Sequence, residues 1–319
     1  MKKVFDFDNI TLLPNFSRVE SRSDCDTTCV FGGYSFKLPI VPANMESIID
    51  IKLAKKLAEN GYFYILHRFN IDEVSFVRDM KEHNLISSIS VGVNDDSCKL
   101  IDKLVSEDLI PHFITVDIAH GHSIKMKKMV KYIKNKMPDV FLIGGNVCTP
   151  EAVTDLESWG CDAVKCGIGG GSVCTTYHST GFGNRGWQAS MIKKCVKVAK
   201  KPIIADGSIK EHCDITKSLV LGASMVMVGG MFAGYDESPG SLIEEEPKKY
   251  KEFWGSASSS QSGKTNRVEG IKKLIPYKNQ SIFDKLNDID ESLQSAISYA
   301  GGNPNTIECL NGVKYVVKN

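Results

Sequence analysis

The chain has 319 residues, 39 Lys plus Arg against 38 Asp plus Glu, and ten cysteines. With 42% hydrophobic and 24% charged residues it is ordinary for a globular protein, which excludes wholesale disorder. A net charge of +1 leaves no electrostatic case for a nucleic-acid binder.

The start, Met1-Lys-Lys-Val-Phe-Asp-Phe-Asp, has no apolar h-region, so no secretory signal is expected. No run approaches the 18 or so apolar residues of a membrane span, and a cytoplasmic protein is expected. Most of the cysteines then read as small buried hydrophobes. Cys25 and Cys29 have no matching second pair and make a weak zinc motif.

Short apolar runs rich in Val and Ile follow one another at 38–43, 62–66, 86–91, 112–117, 140–144, 163–166, 202–205 and 224–228. Near-continuous apolar strands suit a parallel sheet covered on both faces. Amphipathic helical stretches lie between most of them. One begins at Asp50 and stops at Asn60-Gly61; another opens on Thr149-Pro150-Glu151, with Thr as N-cap and Pro at N1. Eight strands alternating with helices predict an α/β fold of the (β/α)₈ TIM-barrel type, one domain over 1–319. Two domains would also suit the length, but a doubly wound fold wants Gly-x-Gly-x-x-Gly after its first strand, and none stands there. The stretch 237–280, with Pro-Gly, Glu-Glu-Glu and a Ser-rich run, shows no clear period. It reads as a solvated loop or, following strand eight, an active-site lid.

In a barrel the residues after each strand meet at the catalytic face. Here they are Asn44, His67, Gly92, Asp117, Gly145-Asn146, the loop 167–174, Asp206-Gly207-Ser208 and Gly229-Gly230. The last two groups follow strands seven and eight, where barrels commonly hold a phosphate on backbone N–H groups. Gly169-Gly-Gly-Ser-Val-Cys174-Thr-Thr176 is the sharpest feature. Its glycines let backbone close around a nucleotide edge or an ion, and at its end a thiol stands beside two hydroxyls, a nucleophile with proton relays. His120 and His122 look like a metal pair but lack a third ligand at a suitable spacing; a capped helix start is the simpler reading. The lysine-rich stretch 125–136 reads as a solvated helix face.

Together these pieces resemble the family of GMP reductases and IMP dehydrogenases over nearly the whole chain. The resemblance is carried by Phe5-Asp-Phe-Asp-Asn-Ile-Thr-Leu, Glu20-Ser-Arg-Ser, Pro42-Ala-Asn-Met45, Ser90-Val-Gly-Val, Asp117-Ile-Ala-His-Gly-His and Gly144-Gly-Asn146. The loop 167–176, Ala205-Asp-Gly207, Gly222-Ala-Ser-Met-Val-Met and Ser298-Tyr-Ala-Gly-Gly302 complete it. There is no room between strands two and three for the dehydrogenases' regulatory insert. The Arg-Tyr pair of their flap is also missing, since Arg267 is followed by Val268. Tyr250-Lys-Glu-Phe-Trp-Gly-Ser-Ala-Ser and Val268-Glu269-Gly270 resemble the reductase lid instead, of the compact bacterial type.

The resemblance implies NADPH-dependent reductive deamination of GMP to IMP in purine interconversion. Cys174 would be the nucleophile at C2, with Thr176 and Glu269 the proton relay. It assigns Ser172, Asp206, Gly207, Ser208, Gly229 and Gly230 to the nucleotide, joined by Gly255, Ser256, Ala257 and Gly270 from the lid. To the cofactor it assigns Asp117, Ile118, Ala119, Ile168 and Gly169, with Ser21 and Arg22 reaching a neighbouring subunit's cofactor. Carbonyls of Gly169, Gly171 and Cys174 match a potassium-type site, and a homotetramer without nucleic-acid or membrane partners is implied. Ser208 replaces a common third glycine, Ile271 a common Lys, and Tyr177 an Arg seen in some members. An IMP dehydrogenase lacking its regulatory domain and a non-catalytic purine-nucleotide-binding barrel are the competing readings.

Overall fold

The computed structural model describes residues 4–245, 247–255 and 270–318. Its centre is a curled parallel sheet of seven strands: Ile40–Pro42, Ser88–Val91, Phe113–Asp117, Phe141–Val147, Ala163–Cys166, Ile203–Asp206 and Met225–Val228. From Ser88–Val91 onward each strand pairs with the next in sequence, and the last returns to Ile40–Pro42, with Val226 paired to both Ile40 and Ala205. Such a wrap defines the TIM-barrel type of α/β fold. Six of the seven strands are buried at every position or all but the last, as a sheet covered on both faces requires.

The run 62–66 departs from expectation. It is not a continuous strand: Leu66 makes a single bridge to Ile89, its N–H donating to the Ser88 carbonyl at 3.1 Å. Packing holds it instead. Phe63 and Ile65 enter an inner cluster with Val41, Ile143, Ala163, Ile204 and Met227, and Tyr64 and Leu66 face the outer layer. Alternating burial on two faces preserves the barrel's eighth position without a ladder.

Local signals fix the helices. Asp50 accepts from the Leu53 N–H to open Ile51–Glu59, and Thr149 accepts from Ala152 N–H to open Pro150–Trp159 with Pro at its first position. Gly61, in the left-handed region, ends the first of these. An antiparallel pair that no sequence pattern announces, Cys29–Phe31 with Tyr34–Phe36, closes the barrel end opposite the site. Phe31 and Phe36 pack there on Phe63 and Phe113.

The stretch expected to be irregular is also ordered where described. Leu242–Glu245, Lys248–Trp254 and Lys272–Pro276 form a three-stranded antiparallel sheet. Its anchor is alternation in Lys248–Trp254, which buries Lys251 and Phe253 on one face. Lys251 Nζ donates to the carbonyls of Asp236 at 2.9 Å and Ser238 at 2.6 Å, so a charged residue occupies a core-facing position. Ser47, on the first strand's loop, bonds both Trp254 backbone groups.

Candidate active site

A cleft of about 280 Å³ opens at the carboxyl ends of the strands. Asn44, Asp117, Ile118, Ala119, Asn146, the glycines 167 and 169–171, Ile168, Cys174, Thr176, Asp206, Gly207 and Gly255 line it. Thus most strand-end residues singled out by sequence meet in one place. Gly92, Ser208, Gly229 and Gly230 are not among its lining residues, nor is His67. It is buried, burial pushes its pKa down to about 4, and its Nδ1 accepts from the Phe69 N–H at 3.2 Å. The next two residues, Arg68 and Phe69, reach the cleft instead.

The Gly-rich loop is built from backbone contacts that side chains would obstruct. At Gly167, with φ of +149°, an added Cβ would fall 1.7 Å from the Asp206 carbonyl oxygen. Ser208 adopts φ of +61°, so it meets the left-handed demand that glycine commonly meets there, and its N–H donates to the Gly170 carbonyl at 3.1 Å. The loops that carry Gly170 and Ser208 are therefore stitched together. Behind them two fully buried amides act as a clamp. Asn184 bonds both backbone groups of Ile168 and donates to Gln188, which donates to the Asp206 carbonyl at 2.9 Å.

Cys174 is half-buried, with Sγ 3.4 Å from Thr176 Oγ1. Cys174 also bridges Gly270, and the Ile271 N–H donates to the Val173 carbonyl at 2.9 Å, so the strand Lys272–Pro276 is entered from the thiol loop. Ser172 Oγ and Phe253 lie next to Gly230, at ordinary contact distance from where a Cβ would stand. Ser256, Ala257 and Glu269, with Arg267 and Val268, lie outside the described residues.

Beneath the thiol loop lies a charged network. Lys165 Nζ sits 2.9 Å from Asp117 Oδ1 and 3.1 Å from Asp206 Oδ2, and Asn146 Nδ2 donates to the same Asp206 oxygen at 2.7 Å. Burial by itself would raise the Asp117 carboxyl. The Lys165 charge, with Arg68 and the Asn44 side chain, outweighs burial and holds Asp117 below the usual carboxylate range. Burial would likewise strip Lys165 of its proton, but its two carboxylates hold its pKa above the ordinary value.

The remaining expected residues are placed elsewhere. Ser21 and Arg22 lie outside their own chain's cleft, Arg22 reaching Ser295 and the Tyr299 ring on the Ile282–Ala300 helix. His122 pairs with Asp155 at 2.8 Å just before Ser123 caps Ile124–Lys136. Of the carbonyls matched to a monovalent cation, that of Gly171 already accepts the Cys174 N–H at 3.1 Å. No step below is routed through a cation.

Five residues of the site stand outside every motif: Lys165, Arg68, Phe69, Asn184 and Gln188. Lys165 carries a signal all the same, a charge inside the short apolar strand Ala163–Cys166. The buried amides carry none.

A TIM-type barrel with a thiol, a hydroxyl and half-buried carboxylates at its strand ends is the build of an enzyme. The model of the IMP dehydrogenase / GMP reductase domain matches residues 4–318, and the chain belongs to that family. It is 52% identical over 318 residues to a GMP reductase of Bacillus licheniformis, covering 99% of this chain and 97% of that one. A GMP reductase of Lysinibacillus sphaericus is 53% identical over 318 residues, 99% of this chain and 96% of the other. One of Mycoplasma mycoides is 52% identical over 316 residues, 99% and 98%. No helix among the described residues is long and apolar enough to cross a membrane.

Proposed function

We propose that this chain is a GMP reductase, converting GMP to IMP and ammonia at the expense of NADPH in purine nucleotide interconversion. The observation that carries the reading is the Cys174 thiol 3.4 Å from the Thr176 hydroxyl, at the end of a glycine loop in the cleft.

Cys174 as thiolate attacks C2 of the purine, forming a C–S bond. The C2 amino group leaves as ammonia, giving a covalent thioimidate. An amide anion is a very poor leaving group, so the departing nitrogen must be protonated, a general-acid task for Thr176 relayed from Glu269. Asp117, Ile118, Ala119, Ile168 and Gly169 would hold the reduced nicotinamide, whose chemistry would be donation of a hydride to C2. Cys174 then leaves as thiolate and IMP is released. Overall, GMP, NADPH and two protons give IMP, ammonium and NADP⁺.

The phosphate is held by N–H groups of Gly207, Gly229 and Gly230, with Ser172 and Ser208 adjacent, and the ribose by Asp206. Gly255, Ser256, Ala257 and Gly270 cover the base from the lid, 237–280. Ser21 and Arg22 serve a neighbouring subunit's cofactor in a cytoplasmic homotetramer of single-domain subunits.

The test is NADPH consumption with GMP as substrate, with Cys174→Ala alongside. Absence of turnover in the unmodified enzyme, or full turnover in the variant, overturns the reading. Conversion of IMP and NAD to XMP at comparable efficiency would favour a dehydrogenase. Tight GMP binding without turnover would favour a non-catalytic barrel.

A further inference from the structure

Lys165 is a charged residue in a strand otherwise made of Ala, Val and Cys, and its side chain is only 4% exposed. Burying an ammonium is costly unless it is paired and hydrogen-bonded. Here the pairing is double, and the partners come from different places. Asp117 ends the strand Phe113–Asp117, and Asp206 ends Ile203–Asp206. The stem is held as well: a Cβ at Gly145 would lie 2.7 Å from Lys165 Cβ, so the neighbouring strand runs directly against it.

The groups facing each acid differ. Asp117 meets Lys165, the Arg68 guanidinium and the Asn44 side chain. Asp206 meets Lys165 and the Asn146 amide through Oδ2. Lys165 is thus the cation the two acids have in common. On the reading above they face different ligands, Asp117 the cofactor and Asp206 the nucleotide.

We infer that Lys165 is a positioning residue serving both halves of the site, holding Asp117 toward the cofactor and Asp206 toward the nucleotide through one shared ammonium. The identity of the two ligands rests on the GMP reductase reading; the electrostatic link between the carboxylates does not. A shared cation has a crosswise consequence. Removing the charge of one acid strengthens the hold of Lys165 on the other and moves that acid's titration down, whereas a merely structural lysine does not couple both ligands' affinities to its own charge.

Calorimetric titration of the full-length enzyme with GMP and, separately, NADPH at about pH 7, together with a carbon-detected NMR titration of the Asp117 carboxyl from about pH 7 down through its acid limb, tests this. Lys165→Met, folded by circular dichroism, weakens both ligands by about tenfold or more. It also moves the acid limb of the Asp117 carboxyl upward, because Asp117 keeps only Arg68 as a cation. Asp206→Asn moves that limb downward, because Lys165 then serves Asp117 alone. Loss of one ligand only in Lys165→Met, or an unmoved limb in Asp206→Asn, overturns the inference. Should Lys165→Met fail to fold, the Asp206→Asn arm decides. If the unmodified enzyme binds neither ligand, the GMP reductase reading is what has failed. A carbon-detected NMR titration of the Asp117 carboxyl in the unmodified chain and Asp206→Asn then still reads the link: a downward shift supports it and no shift overturns it.

Discussion

Gly167 and Asp206 touch backbone to backbone, so closely that a Cβ on Gly167 would stand 1.7 Å from the Asp206 carbonyl oxygen. That oxygen also accepts from Gln188, and residue 167 begins the loop that delivers Cys174. Neither partner can yield: one side is strand-end backbone and the other is pinned by a buried amide. Gly167→Ala is therefore expected to cost about 4 kcal/mol or more, read by urea unfolding. Gly181→Ala, where no atom lies within 4 Å of the added Cβ, bears only the strain of its φ of +76° and is expected to cost about 1–2 kcal/mol.

On the proposed mechanism the thiol and hydroxyl have separable roles. Cys174→Ser is expected to lower kcat by about 10⁴-fold or more while leaving GMP affinity nearly unchanged. Thr176→Val removes a proton relay rather than the nucleophile, and its kcat is expected to fall about 10²–10⁴-fold with KM for GMP retained. Steady-state kinetics beside equilibrium GMP binding check both. Glu269→Gln is expected to follow Thr176→Val; equal losses in binding and turnover would contradict the relay.

His67 predicts a specific acid weakness. Burial, partly opposed by Asp50, pushes its pKa down to about 4 from the ordinary 6.5. The unfolded chain therefore takes up the proton first as pH falls. The stability contributed by neutral His67 is complete above about pH 6.5 and is lost progressively toward pH 4, roughly 3 kcal/mol in all. His67→Asn keeps an acceptor for the Phe69 N–H but does not titrate. Its unfolding free energy is expected to be flatter than the parent's between those pH values, measured by denaturant titration.

Lys251 anchors the root of the lid through two carbonyls. Lys251→Met fills the space but leaves the Asp236 and Ser238 acceptors without that donor, at about 1–3 kcal/mol. Faster limited proteolysis within 237–255, with little change in the barrel's hydrogen exchange, is the expected signature. Uniform loosening would show that the lid root and the barrel unfold together.

Patterns that span only a few residues are legible in the amino-acid sequence. Apolar runs locate the barrel strands, Asp50 and Thr149 locate helix starts, and glycines beside Cys174 and Asp206 locate the cleft. These depend on local burial and capping, which the sequence carries directly. Two segments depart from their local pattern for one reason. The run 62–66 is apolar enough for a strand but is held by packing, and Lys248–Trp254 is charged enough for a loop but pairs on both sides. Whether a segment finds ladder partners is not written in its own composition.

The amino-acid sequence by itself determined the barrel class, the catalytic face and the thiol loop, because each rests on short-range pattern and backbone permissiveness. Only the tertiary structure decided the rest: that Lys165 bridges Asp117 and Asp206, that Asn184 and Gln188 clamp the loop from behind, and that Arg68 rather than His67 reaches the cleft. Most of those contacts join residues far apart in the chain. Their strength comes from burial, which raises the cost of an unpaired charge or amide and so fixes its partner, and burial exists only once the chain has closed.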